Sequence, residues 1–298
     1  MSEGGPARPH VVAIGGGHGL ANVLRAVCRY AGTVTAIVTV ADDGGSSGRL
    51  RRDLGIVPPG DLRKAIVAMA DEDALWSRTF EHRFDDGELA GHAVGNLVLA
   101  ALFDTTGDVV TALDEAGRLV GSRGRALPAT TEAVVLTADI DGQEVEGQVA
   151  VATAPGRIRR VRVAPADVRP VPDAVAALVA ADQVVLAPGS LYTSVLAVLV
   201  VEGLAEAVRM APGRVVQVGN LRTQDAETSG LDAGDHLQAV LDHGGRVDVY
   251  LAPESGALAV DVGRIRTQGA EAVTADVAAP GAVEHDPHRL ALALAALL

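Results

Sequence analysis

Short runs of β-branched and aliphatic residues punctuate the chain, each followed by a polar or Gly-rich turn and then by apolar residues at helical spacing. Val11-Val12-Ala13-Ile14 is the first. It passes through Gly15-Gly16-Gly17-His18-Gly19 into Leu20 to Tyr30, where Leu20, Val23, Leu24 and Val27 share one helical face. Val34 to Val40 predicts a second strand, ending in Ala41-Asp42-Asp43-Gly44-Gly45-Ser46-Ser47-Gly48. After Pro58-Pro59-Gly60, Asp61 is positioned to cap a helix carrying Ile66, Val67 and Met69. Gly91-His92-Ala93-Val94-Gly95-Asn96 leads into an apolar helix over Leu97 to Leu102.

The pattern changes between residues 130 and 165. Ala133 to Leu136, a turn at Asp141-Gly142, Val145, and Val149-Ala150-Val151 predict antiparallel strands, and Arg157 to Val163 alternates charged with apolar residues. No flexible boundary isolates this stretch, so it is a small β-rich excursion within one domain spanning 1–298, with residues 1–10 as a flexible tail. The first pattern then resumes. Val184-Val185-Leu186 reaches Pro188-Gly189-Ser190-Leu191-Tyr192-Thr193-Ser194, and Arg214 to Val218 reaches Gly219-Asn220-Leu221-Arg222-Thr223-Gln224. His236 to Leu241 and Leu290 to Leu298 predict helices, and Val247 to Leu251 a strand. Strands alternating with helices predict an α/β fold, doubly wound around a mainly parallel sheet.

Composition narrows the function. Aromatic residues make up only 2%, so the core is aliphatic, and a formal charge of −13 argues against a broad basic surface for nucleic acid. Lys64 is the only lysine. Nearly all positive charge is therefore guanidinium, which suits bidentate phosphate contacts, although compositional bias accounts for it equally well. One cysteine, Cys28, builds neither a disulfide framework nor a multi-thiolate metal site. Met1 to Pro6 lacks a signal-peptide pattern, and the longest apolar run, around Val195 to Val201, falls far short of the roughly 20 residues that span a bilayer. A cytoplasmic protein without a membrane span is expected.

In an open parallel sheet the loops after the strands gather at one edge, where ligands bind. Four such loops here are polar. The first, Gly15 to Gly19, lets an anion approach backbone amides at a helix start, which favours phosphate. It lacks both the third glycine of the dinucleotide fingerprint and the Lys-Ser/Thr of a P-loop, so a plain strand-to-helix turn stays open, as does a solvent-facing His18. In the second, Asp42 and Asp43 suit a ribose hydroxyl, a hard divalent cation at Asp42, or turn capping. Gly44 to Arg49, with Ser46 and Ser47, reads as a mobile loop closing over a ligand or as ordinary surface. In the third, Gly189 and Ser190 form an anion site or a simple cap, and Tyr192 stacks on a base or joins the core. In the fourth, Asn220, Thr223 and Gln224 offer amide and hydroxyl groups to a base edge or a sugar. Asn96 is either a helix cap or a ligand contact. No nucleophile–base order or His-x-x-x-His metal spacing is present, so catalytic residues are not assigned.

The runs Gly15 to Leu20, Thr39 to Arg51, Pro58 to Arg63, Gly91 to Leu97, Pro188 to Ser194 and Asn220 to Gln224 resemble the YvcK-type gluconeogenesis factor family. They occur in family order from about residue 11 to residue 240. That family belongs to the CofD superfamily, whose other branch transfers a 2-phospholactyl group to a deazaflavin with a divalent metal. The resemblance implies a Rossmann-like, CofD-like domain that binds nucleotide sugars such as UDP-N-acetylglucosamine and supports cell shape, cell-wall synthesis and gluconeogenic growth. It implies a cleft lined by the Gly-rich loop, Asp42, Asp43, Asn96, Ser190, Tyr192, Asn220 and Thr223. His18 departs from the threonine of many members, and the sequence after Tyr250 matches poorly. The expected partner is a phosphorylated small molecule, a UDP-sugar first, with neither nucleic acid nor membrane, and a homodimer is compatible with such a chain. The resemblance assigns no definite cofactor. Mg2+ enters only with the alternative reading, a CofD-like phospholactyl or phosphoryl transferase; a nicotinamide-dependent oxidoreductase ranks third.

Overall fold

The computed structural model describes residues 8–224 and 226–298. Its centre is a parallel sheet of seven strands: β1 (His10–Gly15), β2 (Thr33–Val38), β3 (Arg125–Pro128), β7 (Gln183–Leu186), β8 (Arg214–Val218), β9 (Val249–Pro253) and β10 (Glu271–Ala275). Between β3 and β7 the chain builds a separate antiparallel sheet from β4 (Val135–Ile140), β5 (Gln143–Glu146) and β6 (Ile158–Ala164). The two sheets realise the expected α/β Rossmann-like architecture with its β-rich excursion.

Burial explains the different sequence patterns. β1, β2, β7 and β9 are buried on both faces, so they read as continuous aliphatic runs. β4 and β6 show one face to solvent and alternate. Asp141 and Gly142, at φ of +50° and +85°, make the tight β4–β5 turn that their sequence predicts.

The order of the large sheet is β10-β9-β8-β7-β1-β2-β3. From β1 the chain builds outward through β2 and β3, returns beside β1 as β7, and builds the other way. The loops after β1 and β7 therefore flank the one place where strand order reverses, and ligands of open α/β sheets bind there.

Four local expectations are corrected. Val149-Ala150-Val151 is helical, within Gln148–Thr153, because the Asp43 carboxylate accepts the Gln148 and Val149 N–H groups at 2.9 and 3.0 Å and so caps a helix start. Gly45–Leu54 is a helix with Ser46, Ser47 and Gly48 buried, instead of a mobile loop. Pro58, not Asp61, is the N-cap of helix Pro59–Ala68; Asp61 sits in its first turn. Finally, His10 already belongs to β1, which shortens the expected tail of residues 1–10, and residues 1–7 of that tail lie outside the described residues.

Candidate functional site

Helix Gly17–Val27 begins directly at the switch point. Gly16 is its extended N-cap, no side chain caps it, and no acid lies in its first turn. Its first amides and the positive end of its dipole are thus uncommitted. The loop after β7 comes unusually close: a Cβ at Gly19 would lie 1.8 Å from the Pro188 carbonyl oxygen, so only glycine lets the two loops meet. Asn220 closes the third wall. Its Oδ1 accepts the Gly189 N–H at 2.7 Å and its Nδ2 donates to the Gly189 carbonyl at 2.9 Å.

These loops enclose a polar pocket of about 480 Å3, within the usual range of ligand sites. His18, Gly19, Gly189, Asn220, Thr223 and Gln224 line it, as does exposed Arg222, which has no ion-pair partner among the described residues. Ser190 is tied to it, since its hydroxyl donates to Gln224 Oε1 at 3.1 Å. The last fifty residues also contribute. Val283, Glu284 and His285 complete the wall, with Asn22 reaching the Glu284 carboxylate at 3.4 Å. His285 is buried and donates through Nε2 to the Gly219 carbonyl at 3.1 Å; burial pushes its pKa down to about 4.

The helical segment after β7 is different. Leu191–Leu196 forms a fully buried π-helical turn, a form that often marks functional positions. Its start, expected as a second anion site, is filled by the chain itself. Glu227 Oε1 accepts the Tyr192 N–H at 2.7 Å, the Thr193 N–H at 2.9 Å and the Thr193 hydroxyl at 3.3 Å. Burial raises the Glu227 pKa, and these donors oppose the rise. Tyr192 is 5% exposed, lies edge-on to His243 at 6.3 Å between ring centres, and is absent from the pocket wall.

A second polar group adjoins the first through Gly16. A side chain at Gly16 would lie 2.6 Å from Asp61 Oδ2, 2.8 Å from Thr39 Cγ2 and 3.2 Å from Ser194 Oγ. Beyond it Asp42 is half-buried, accepts the Gly44 N–H at 3.0 Å, and has its carboxyl held above the ordinary range by burial first and by the charge of Asp61 next. Asp61 pairs with Lys64 at 3.2 Å. Ser47 and Asp42 both border Gly60. Asn96 and Ser46 are engaged inward: Asn96 accepts from buried Arg63 at 3.0 Å and donates to Ser46 at 3.1 Å, and Ser46 reaches His92 Nδ1 at 3.0 Å. Asp43 stands apart, with both carboxylate oxygens committed to helix Gln148–Thr153.

The structure thus gathers the first, third and fourth loops around one pocket and places Asp42, Ser47 and Asp61 beside it. Sequence reasoning missed Asp61 as a site residue and also Asn22, Arg222, Glu284, His285 and Glu227. Arg222 and Asp61 lay inside runs already singled out, Asp61 as a helix cap; the others gave no local signal. Mg2+ commonly binds one or two carboxylates together with phosphate oxygens, and Asp42 with Asp61 matches that donor set. Among the described residues no group of three His, Cys, Asp or Glu comes together to hold a metal unaided.

Comparison with known proteins agrees with this architecture. A family model described as 2-phospho-L-lactate transferase CofD matches residues 11–290. The gluconeogenesis factor of Halalkalibacterium halodurans is 44% identical over 80% of this chain and 74% of its own, and that of Bacillus subtilis 42% over 80% and 76%. The crystal structure of a UPF0052 family member from Bacillus halodurans superposes with a TM-score of 0.93 at 37% identity, covering 98% of this chain and all of the other. Among the described residues, no single helix is long and apolar enough to cross a membrane. The chain belongs to the gluconeogenesis-factor family and carries its fold as a CofD-like domain.

Proposed function

We propose that this protein is a cytoplasmic regulatory factor that binds a nucleotide sugar of the UDP-N-acetylglucosamine type in the switch-point pocket. The observation that carries the reading is the uncapped start of helix Gly17–Val27 opening onto a polar pocket walled by Asn220, Thr223 and Gln224. The diphosphate rests on the amides of Gly17 to Gly19, with Arg222 offsetting its charge. The amides and hydroxyls of the opposite wall take the sugar or the base. Arg222 and the helix dipole supply the local attraction that a chain of net charge −13 withholds at long range. Its physiological output is control of cell shape, cell-wall synthesis and growth on gluconeogenic carbon, as a monomer or a homodimer.

Isothermal titration with UDP-N-acetylglucosamine tests the reading. Saturable binding that weakens on Arg222→Ala is the expected result; folded protein that binds no UDP-sugar at millimolar ligand overturns it.

A second reading rests on Asp42 and Asp61 beside Gly16, and on the name of the matching family model. Here the protein is a phospholactyl or phosphoryl transferase acting on a deazaflavin or a related acceptor. A Mg2+ held by these carboxylates would neutralise charge on the transferring group. The residues' own part is positioning: the Gly17–Gly19 amides orient the diphosphate, and Lys64 restrains Asp61. Magnesium-dependent deazaflavin modification that disappears in Asp42→Asn would establish it, and silence in that assay beside UDP-sugar binding would retire it.

A further inference from the structure

Six buried side-chain polar atoms among the described residues have no hydrogen-bond partner. Three belong to residues of a single small chamber: Gln217 Oε1 from β8, Tyr250 Oη from β9 and His236 Nε2 from helix Ala233–Asp242. These residues are 5%, 0% and 2% exposed. Buried polar atoms are costly to leave unsatisfied, so three such atoms at one chamber call for a common partner. The chamber leaves about 10 Å3 for the centre of a water-sized sphere, room for one molecule.

The chemistry of the lining selects the occupant. Gln217 Oε1 can only accept, whereas the Tyr250 hydroxyl donates or accepts. His236 is neutral, its pKa pushed down to about 4 by burial against the opposing pull of Asp235 and Asp232, so its ring offers one donor and one acceptor nitrogen. No carboxylate lines the chamber to balance a cation. A neutral molecule with two donors and two acceptors fits all three atoms.

The chamber is also structurally joined to the switch-point pocket. Gly189 and Asn220, which clasp each other through two hydrogen bonds, line both. Next to Asn220, a Cβ at Gly219 would lie 2.9 Å from Tyr250 Cε1 and 3.0 Å from its hydroxyl, while the Gly219 carbonyl accepts from pocket-lining His285. We propose that one buried water bridges Gln217 Oε1, His236 Nε2 and Tyr250 Oη and braces the wall behind the Gly189–Asn220 clasp, making these three positioning residues of the pocket. The water ties β8, β9 and helix Ala233–Asp242 to one another, and Tyr250, packed against Gly219 next to Asn220, carries that brace to the pocket wall.

A high-resolution crystal structure of the protein without nucleotide provides the test, together with amide hydrogen exchange at Gly189. One water-strength peak within hydrogen-bond reach of the three atoms is expected, unchanged after soaking in rubidium or thallium salts. The near-isosteric Tyr250→Phe removes one partner of that water and should speed Gly189 amide exchange about fivefold, with β1 amides unaffected. An empty chamber, an anomalous cation peak, or Gly189 exchange unaltered in Tyr250→Phe would each overturn the proposal. The wild-type density decides the occupant even if the variant folds poorly. None of these measurements uses a nucleotide, so their outcome is separate from that of the UDP-sugar titration.

Discussion

Glu227 and Thr193 are joined twice through a single oxygen, Glu227 Oε1 accepting the Thr193 backbone N–H at 2.9 Å and its hydroxyl at 3.3 Å. A side chain thereby occupies the helix-start position where a phosphate would otherwise be sought. Of the two helical starts at the switch point, only the one after β1 stays open to an external anion.

Glu227→Ala should cost about 2–4 kcal/mol, because it strands the Tyr192 and Thr193 donors in a buried place. Glu227→Gln keeps an acceptor and relieves a desolvated charge, so its loss should stay within about 1 kcal/mol. Urea unfolding of both variants distinguishes them; equal losses would mean that the charge, not the accepting oxygen, holds the turn.

Asn220→Asp preserves acceptance from the Gly189 N–H but sets a carboxylate oxygen against the Gly189 carbonyl where a donor had been. A stability loss of about 1–3 kcal/mol is expected and, under the proposed function, a fall of about tenfold or more in UDP-sugar affinity. Titration calorimetry on the folded variant reads the second effect, and unaltered affinity would remove the clasp from the binding site.

Asp42 makes a prediction of opposite sign. Its native carboxyl is held above the ordinary value of 3.8, so the unfolded chain ionises first as pH rises and stability falls through that interval before levelling. Asp42→Asn should therefore be more thermostable than the wild type at pH 7, and the gain should vanish below about pH 3.8. Melting temperatures across this range check it. The same substitution should abolish any effect of Mg2+ on ligand binding.

His236 and His285 govern the acid side. Both fall from 6.5 to about 4 in the folded protein, so unfolded histidines take up protons that the native ones refuse. Stability present above pH 6.5 is lost as pH drops toward 4, by about 3 kcal/mol for each group. Unfolding at pH 5 should take up about two protons through this pair and about one in His285→Gln. An unchanged slope of stability against pH in His285→Gln would contradict the assignment.

Gly17 and Gly19 separate backbone strain from steric collision. Gly17 has φ of +62° with open space around its missing Cβ, so Gly17→Ala should cost about 1–2 kcal/mol. Gly19→Ala meets the Pro188 carbonyl at 1.8 Å and should cost about 3 kcal/mol or more while parting the two loops. Comparable thermal stability in the two variants would show that the loops yield easily.

Strands buried on both faces were the most legible part of the sequence, because Val11 to Ile14 and Val184 to Leu186 have no other reason to be continuously aliphatic. β3 was invisible since Arg125-Ala-Leu-Pro offers only two apolar residues, and helix Gly45–Leu54 because Gly-Gly-Ser-Ser-Gly is a poor helix former locally. Tertiary contacts override that propensity: Ser46 bonds to Asn96 and His92, and Ser47 lies against Gly60. The pocket loops were legible as Gly- and Asn-bearing strand ends. His285 and Glu227 were not, because their roles depend on which distant backbone they reach, and no local pattern encodes that; Asp61 was visible only as a helix cap.

Asp43 anchors the first turn of helix Gln148–Thr153, and that helix belongs to the antiparallel segment inserted between β3 and β7. Its neighbour Asp42 faces Gly60 beside the pocket. One short turn thus serves as a shared anchorage, Asp42 on the pocket's border and Asp43 on the appended sheet, so a substitution that reshapes the turn loosens both attachments at once.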